Sequence, residues 1–155
     1  MNLYYKKASL IDLDELIKSR ILVLRAANQL EEDADLILAE AESYMYYRES
    51  LANKEHVAYL VYHEGKLVAT GGISFYRVMP TYHNPSGRKA YIMNMYTDPK
   101  YRRQGIASTV LKLLIKIAKE REVTYITLEA TEAGRELYEK NGFVTLNNEM
   151  KYMES

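Results

Sequence analysis

The spacing of apolar residues switches between a period of about two and one of about 3.6, and each switch marks an element. Leu3 to Ala8 predicts a short strand. Asp12 through Ala26 predicts a helix with Leu13, Leu16, Ile17, Ile21 and Leu24 along one side. Glu31-Glu32-Asp33 supplies acidic residues where a helix N-terminus favours them, so a second helix is expected from there through Leu36, Ile37, Ala41 and Tyr44 toward Leu51. Val57 to Tyr62 and Leu67 to Phe75 predict two strands joined at His63-Glu64-Gly65-Lys66, a hairpin turn containing glycine. Gly71-Gly72 inside the second strand predicts a bulge or a close backbone approach.

Arg77 to Arg88, with Pro80, Asn84, Pro85, Ser86 and Gly87, predicts a loop. A strand is expected at Lys89 to Thr97, then a helix from Gly105 to about Arg121 with Ile106, Val110, Leu114, Ile117 and Ala118 roughly in line. Tyr125 to Ala130 predicts another strand and Glu132 to Asn141 another helix, closed by Gly142 as a left-handed cap. Short strands around Val144 and at Met150 to Met153 complete the expected order, β-α-α-β-β-β-α-β-α-β-β. No repeat, low-complexity tract or linker interrupts it, so residues 1–155 are expected to form one domain.

One junction carries chemistry. The strand Tyr91-Ile92-Met93-Asn94-Met95-Tyr96-Thr97 meets a turn signal at Asp98-Pro99, and the helix begins after Arg102-Arg103-Gln104-Gly105-Ile106-Ala107. Backbone N–H groups from Gly105 through Ser108 have no intrahelical partner and point outward at the positive end of the helix dipole. Gly105 has no side chain and Ala107 almost none, so an anion can approach the main chain closely. Arg102 and Arg103 add charge suited to phosphate oxygens. The junction is a candidate pyrophosphate cradle, yet neither Gly-x-Gly-x-x-Gly nor Gly-x-x-x-x-Gly-Lys-Ser/Thr is present.

A later segment, Leu137-Tyr138-Glu139-Lys140-Asn141-Gly142-Phe143, joins this loop in a pattern that resembles the GNAT superfamily of acetyl-CoA-dependent N-acetyltransferases. There an Arg/Gln-x-x-Gly-x-Gly/Ala loop grips the CoA pyrophosphate, and Leu-Tyr-Glu-Lys-x-Gly-Phe supplies a tyrosine beside the thioester sulfur. Arg102, Gly105 and Ala107 fill the first pattern and Tyr138 stands in the second. Asn94-Met95-Tyr96-Thr97 with Ala130-Thr131 and Gly134-Arg135 looks like an uncharacterised bacterial branch of small GNAT proteins.

The resemblance implies an α/β (α+β) fold with a mixed, mostly antiparallel twisted sheet of about seven strands and about four flanking helices. It implies a splay between the strand before the phosphate loop and the next strand, where the main chain of Met95, Tyr96 and Thr97 would pair with the pantetheine arm. It assigns Arg102, Arg103, Gln104, Gly105, Ile106, Ala107 and Ser108 to the pyrophosphate, and Thr131 and Gly134 to the cofactor side. Thr131 stands where many GNAT proteins have a cofactor-touching asparagine; its hydroxyl either replaces that contact or caps the following helix.

The chain has no cysteine, which removes an acetyl-cysteine intermediate, disulfides and zinc–sulfur sites. Direct attack of an amine on the thioester in a ternary complex is the economical route. An amine with a pKa of about 10.4 is only about one part in a thousand neutral at pH 7, so a proton must leave. The departing thiolate needs a proton, and the Tyr138 hydroxyl is the candidate acid. The strand Lys89–Thr97 holds no carboxylate, which leaves Glu129 or a water as base. The acceptor site is expected between the two N-terminal helices and the 77–88 loop, where Tyr44, Tyr46, Tyr47, Tyr76 and Tyr82 occur near Glu40, Glu42 and Glu49. Arg20 and Arg25 would instead suit a carboxylate.

Lys plus Arg balances Asp plus Glu, 21 against 21, so no overall field favours nucleic acid. No apolar run reaches membrane-spanning length, and Met1–Lys7 lacks the apolar core of a signal peptide, so a cytoplasmic location is expected. His56, His63 and His83 show no metal-ligand clustering and are expected at the surface, with only His83 near the substrate loop; no metal is expected. The expected partners are acetyl-CoA and an amine acceptor, with a homodimer compatible with the sequence. An acetyl-CoA-binding sensor without transferase activity stays open as the alternative.

Overall fold

The computed structural model describes residues 1–154. Five strands form one sheet in the order β1 (Leu3–Lys7), β2 (His56–His63), β3 (Lys66–Arg77), β4 (Arg88–Thr97) and β5 (Tyr125–Leu128). Neighbours are antiparallel except β4 and β5, which run parallel. A parallel pair requires a crossover, and α3 (Ile106–Glu120) supplies it. The β2–β3 hairpin turns through Glu64 and Gly65, both left-handed (φ 50° and 77°), as a tight two-residue turn between right-twisted strands requires.

Two cores lie on opposite faces of the sheet. The larger joins α3 through Ile106, Val110, Leu111 and Leu114 to Val61, Ile73 and Ile92, all at most 2% exposed. On the other face Leu16 and Ile17 of α1 (Leu13–Ala27) and Tyr47 of α2 (Ile37–Ala52) pack on Ala58 and Leu60. The alternation of β2 is therefore read by both faces, one residue apart.

Three expected boundaries move. α2 starts at Ile37 rather than at Glu31, because residues 31–34 close a turn (Ala34 N–H to Glu31 C=O, 3.1 Å). Asp35 Oδ1 then accepts the Ile37 N–H at 2.9 Å, so the effective start signal is Asp35. α4 covers Arg135–Lys140 rather than Glu132 to Asn141, because a turn over residues 131–134 precedes it. The strands expected around Val144 and at Met150 to Met153 do not form, so the sheet has five strands rather than about seven. Val144, Leu146, Met150 and Tyr152 are exposed, and the polar run Asn147-Asn148-Glu149 separates apolar groups too widely to bury a face. Among the described residues, no helix is long and apolar enough to cross a membrane.

Candidate active site

The sheet opens at β4. Its pairing with β5 ends at Ile92↔Leu128, so Met93 to Thr97 have no strand beside them on that side. On the other side Thr70↔Tyr96 and Gly72↔Met93 bracket two steps of β3 and three of β4, which is a bulge in β4. Asn94 carries it with φ 59°, a left-handed conformation that asparagine tolerates better than most residues. Gly71 stands opposite, and a Cβ there would meet Met95 Sδ at 2.5 Å and Val110 Cγ1 at 2.7 Å. The expected close approach thus lies at Gly71, while the extra residue belongs to the facing strand.

The loop after β4 is held from both ends. Asp98 Oδ1 accepts the Lys100 N–H at 2.9 Å and starts the 3-10 turn Pro99–Tyr101. Arg102 Nε donates to the Thr97 carbonyl at 3.1 Å, tying the first arginine back to the strand. Arg103 (φ 62°) and Gly105 (φ 80°) are left-handed, and Gly105 is the N-cap of α3 with nothing within 4 Å of a Cβ position. Arg102, Arg103, Gln104 and Gly105 are exposed, and Ala107 and Ser108 half-buried. The Ile106 side chain is buried in the α3 core, so only its main chain faces the loop. The first N–H groups of this 15-residue helix have no intrahelical partner and begin beside the open space at Gly105, an arrangement chemically suited to an anion.

Past β5 the chain brings Glu129, Thr131, Gly134 and Tyr138 together. Thr131 accepts the Gly134 N–H through Oγ1 (3.1 Å) and the Arg135 N–H through its carbonyl (3.0 Å), so this hydroxyl caps the turn into α4. A Cβ at Gly134 would lie 3.2 Å from Tyr138 Cε2 and 3.3 Å from Thr131 Oγ1, which explains the glycine. The Tyr138 ring meets Phe143 edge-on at 6.0 Å and packs, with Met95 and Leu128, on the α3-side core. Burial raises its pKa above the ordinary tyrosine value. Glu129 is exposed, but it shares a cavity of about 690 Å³ with Tyr91 and Tyr138. Burial first, and then the Glu129 carboxylate, raise the pKa of Tyr91.

A second cavity, about 470 Å³, opens on the α1–α2 face at the bulge. Met93 and Asn94 both line it, since the bulge turns two successive side chains to one face. Arg20 Nη1 donates to Asn94 Oδ1 at 3.0 Å, and Asn94 Nδ2 faces the Tyr47 hydroxyl at 3.5 Å. His56 Nδ1 lies 2.8 Å from the Tyr46 hydroxyl and 3.1 Å from Ser74 Oγ. Burial, aided by the Arg20 charge, lowers the His56 pKa to about 4. Burial also pushes the Tyr47 hydroxyl up to about 12.

One expected placement is corrected at this cavity. His56 is 4% exposed rather than at the surface. The available signal was its period-two register with Ala58 and Leu60, both in the α1–α2 core. It also explains the second glycine, because a Cβ on Gly72 would stand 2.7 Å from His56 Nε2. Tyr46, Tyr47, Tyr76 and Glu42 line the cavity, whereas Tyr44 and Glu40 line another groove beside α1. Residues 77–88 contribute nothing to its lining, and Tyr82 is exposed. Arg25 is committed to the carbonyls of Glu31 and Ala34 (2.9 and 3.1 Å), which leaves Arg20 as the arginine at the cavity.

Proteins similar to this chain share its fold. A Clostridium acetobutylicum protein described as a predicted acetyltransferase, with acetyl-CoA, is 34% identical over 98% of this chain and 96% of its own, with a TM-score of 0.89. A GCN5-related N-acetyltransferase from Ralstonia eutropha JMP134, at 23% identity, shares the fold over 98% of this chain and 99% of its own (TM-score 0.77). The uncharacterised N-acetyltransferase YafP of Escherichia coli (strain K12) is 36% identical over 59 residues, 38% of this chain and 36% of that protein. The chain thus spans about a third of that relative's length. Residues 24–143 match the Acetyltransferase (GNAT) family, and with the fold and loop described above the chain belongs to this family of acetyl-CoA-dependent N-acetyltransferases.

Proposed function

We propose that this chain transfers the acetyl group of acetyl-CoA directly to a primary amine of a small molecule or peptide, with both substrates bound together. The observation that carries the reading is the opening of β4 from β5 beyond Ile92↔Leu128, with the exposed Arg102-Arg103-Gln104-Gly105 loop after β4 and a cavity at its bulge. The open loop at Gly105, where nothing stands within 4 Å of a Cβ position, fits a pyrophosphate.

In this reading the main-chain N–H groups from Gln104 to Ser108, with Arg102 and Arg103, hold the pyrophosphate. The unpaired backbone of Met95, Tyr96 and Thr97 holds the pantetheine arm and offers an N–H to the thioester carbonyl as charge develops. Thr131 and Gly134 shape the wall around Tyr138. The acceptor ammonium loses one proton to Glu129 or to water, and its nitrogen attacks the thioester carbon. The C–N bond forms, the C–S bond breaks, and the second nitrogen proton reaches the sulfur by way of the Tyr138 hydroxyl. A cytoplasmic protein that uses neither metal nor nucleic acid, with a homodimer compatible, completes the proposal.

Calorimetry with acetyl-CoA, followed by thiol release with a panel of primary amines, tests it. Saturable acetyl-CoA binding and amine-dependent CoA release are expected. Binding with no release by any amine would leave an acetyl-CoA sensor instead.

A further inference from the structure

The cavity at the β4 bulge contains a cation that is in no ion pair among the described residues. Arg20 projects from α1 into this cavity and spends one N–H on Asn94 Oδ1. Among the described residues it forms no ion pair; the carboxylates that do pair are elsewhere. Glu42 and Glu55 also line the cavity, but both are exposed at its rim. A guanidinium carries five donors in a planar fork that matches a carboxylate, so four remain for a ligand. Its charge reaches the two deepest titratable groups of the cavity, lowering the pKa of His56 and opposing the rise in that of Tyr47.

Position narrows the ligand further. Asn94, which Arg20 grips, immediately precedes Met95, the first residue assigned above to the thioester side. On the transferase reading, a carboxylate on Arg20 would lie beside the same stretch of β4 as the reacting thioester, which suits a short spacer between carboxylate and amine. The rest of the cavity presents Tyr46, Phe75, Tyr76 and Met93, an aromatic and thioether surface. One guanidinium facing two rim glutamates suits a monoanion better than a phosphate dianion.

We propose that the acceptor is an α-amino acid: Arg20 binds its carboxylate, the bulge presents its amino group to the thioester, and its apolar side chain lies among Tyr46, Phe75, Tyr76 and Met93. The inference rests on the transferase reading and follows the same bond changes, the carboxylate taking no part in them. Arg20 is a specificity residue here, and Asn94 a positioning residue that fixes the guanidinium.

Thiol release measured with the common amino acids, their amides and their decarboxylated amines tests the assignment. L-phenylalanine, L-phenylalaninamide and phenethylamine form one such set. The free acid should be favoured by about 10- to 100-fold in kcat/KM, the value of a charge-assisted hydrogen-bonded pair. Arg20→Gln should collapse that ratio, and Arg20→Lys should restore part of it, with acetyl-CoA affinity unchanged in both. A purely structural arginine would lower all three substrates together and leave the ratio intact. Equal use of acid, amide and amine, a preference for polyamines or lysine peptides, or an unchanged ratio in Arg20→Gln overturns the proposal. If Arg20→Gln does not fold, the wild-type ratio and Arg20→Lys decide it. Acetyl-CoA binding without acetylation of any amine overturns the transferase reading itself, a distinct outcome.

Discussion

Gly71 of β3 lies so close to Met95 of β4 that a Cβ added to the glycine would stand 2.5 Å from the methionine Sδ and 2.7 Å from Val110 Cγ1. Helix α3, the bulge and the middle of the sheet thus meet at one point where only hydrogen fits. Gly71→Ala is expected to destabilise the protein by about 1–3 kcal/mol, the usual cost of overpacking a closed core. Because Met95 borders the opened part of β4, acetyl-CoA affinity should fall as well. Urea denaturation and calorimetry on the same variant check both effects; an unchanged midpoint would mean that Met95 and Val110 yield freely.

Gly105 makes the opposite case. Its Cβ position is empty, but its φ of 80° disfavours any side chain. Gly105→Ala should therefore cost stability by about 1 kcal/mol through the left-handed backbone and little through contacts. Gly105→Asp adds a negative charge at the helix N-terminus, where the pyrophosphate is proposed to bind, and should abolish acetyl-CoA binding. A folded Asp variant with wild-type calorimetric affinity would take this loop out of the cofactor site.

Loop, strand and cap were legible in the sequence because local backbone chemistry dictates them. Asp98-Pro99 favours a turn and starts one here, Gly105 and Gly142 are left-handed (φ 80° and 95°), and Glu64-Gly65 closes its hairpin. The cavity was less legible because its residues meet only through tertiary packing: Arg20 and Asn94 are 74 residues apart. His56 escaped notice since histidine is usually at least partly exposed, although its register with Ala58 and Leu60 pointed inward. The acidic run at Glu31 imitated a helix start, while the side chain that bonds the first turn of α2 is Asp35. The C-terminal strands are absent for a different reason: the outer edge of β5 is open, but Asn147-Asn148-Glu149 interrupts the apolar alternation that would seat Met150 and Tyr152 on it.

Tyr138 carries its proton at neutral pH, as tyrosine ordinarily does, and burial moves its pKa further up, so the hydroxyl is available as a donor. Tyr138→Phe preserves the ring that packs on Phe143 and removes only the hydroxyl. Turnover should drop by about 10²- to 10⁴-fold while acetyl-CoA still binds. Wild-type kcat in the Phe variant, on the true acceptor, would assign the sulfur's proton to another donor.

Glu129 borders the Tyr138 cavity yet is exposed, so solvent stands ready to do whatever its carboxylate does. Glu129→Gln, nearly isosteric and unable to accept a proton, should cost less than about tenfold in kcat/KM if water removes the amine proton. The acidic limb of the pH profile should then follow the free amine. A Gln variant that binds acetyl-CoA normally but loses about 10²-fold or more, with the acidic limb displaced, would make Glu129 the base.

His56 ties pH to stability. Its pKa falls from 6.5 to about 4 because burial disfavours the imidazolium and Arg20 repels it; Tyr46, Tyr47 and Ser74 offer no compensating anion. Between these values the unfolded chain binds a proton that the folded chain refuses, so folding weakens as pH falls. The His56 contribution is intact above about pH 7, has lost about 2 kcal/mol by pH 5, and approaches about 3 kcal/mol of loss below pH 4. His56→Gln, which cannot titrate, should start less stable at pH 7 because Tyr46 and Ser74 lose a partner. Its urea midpoint should then change much less between pH 7 and pH 5 than that of the wild type. Parallel pH profiles for the two proteins would show that His56 takes up its proton in the folded state as readily as in the unfolded chain.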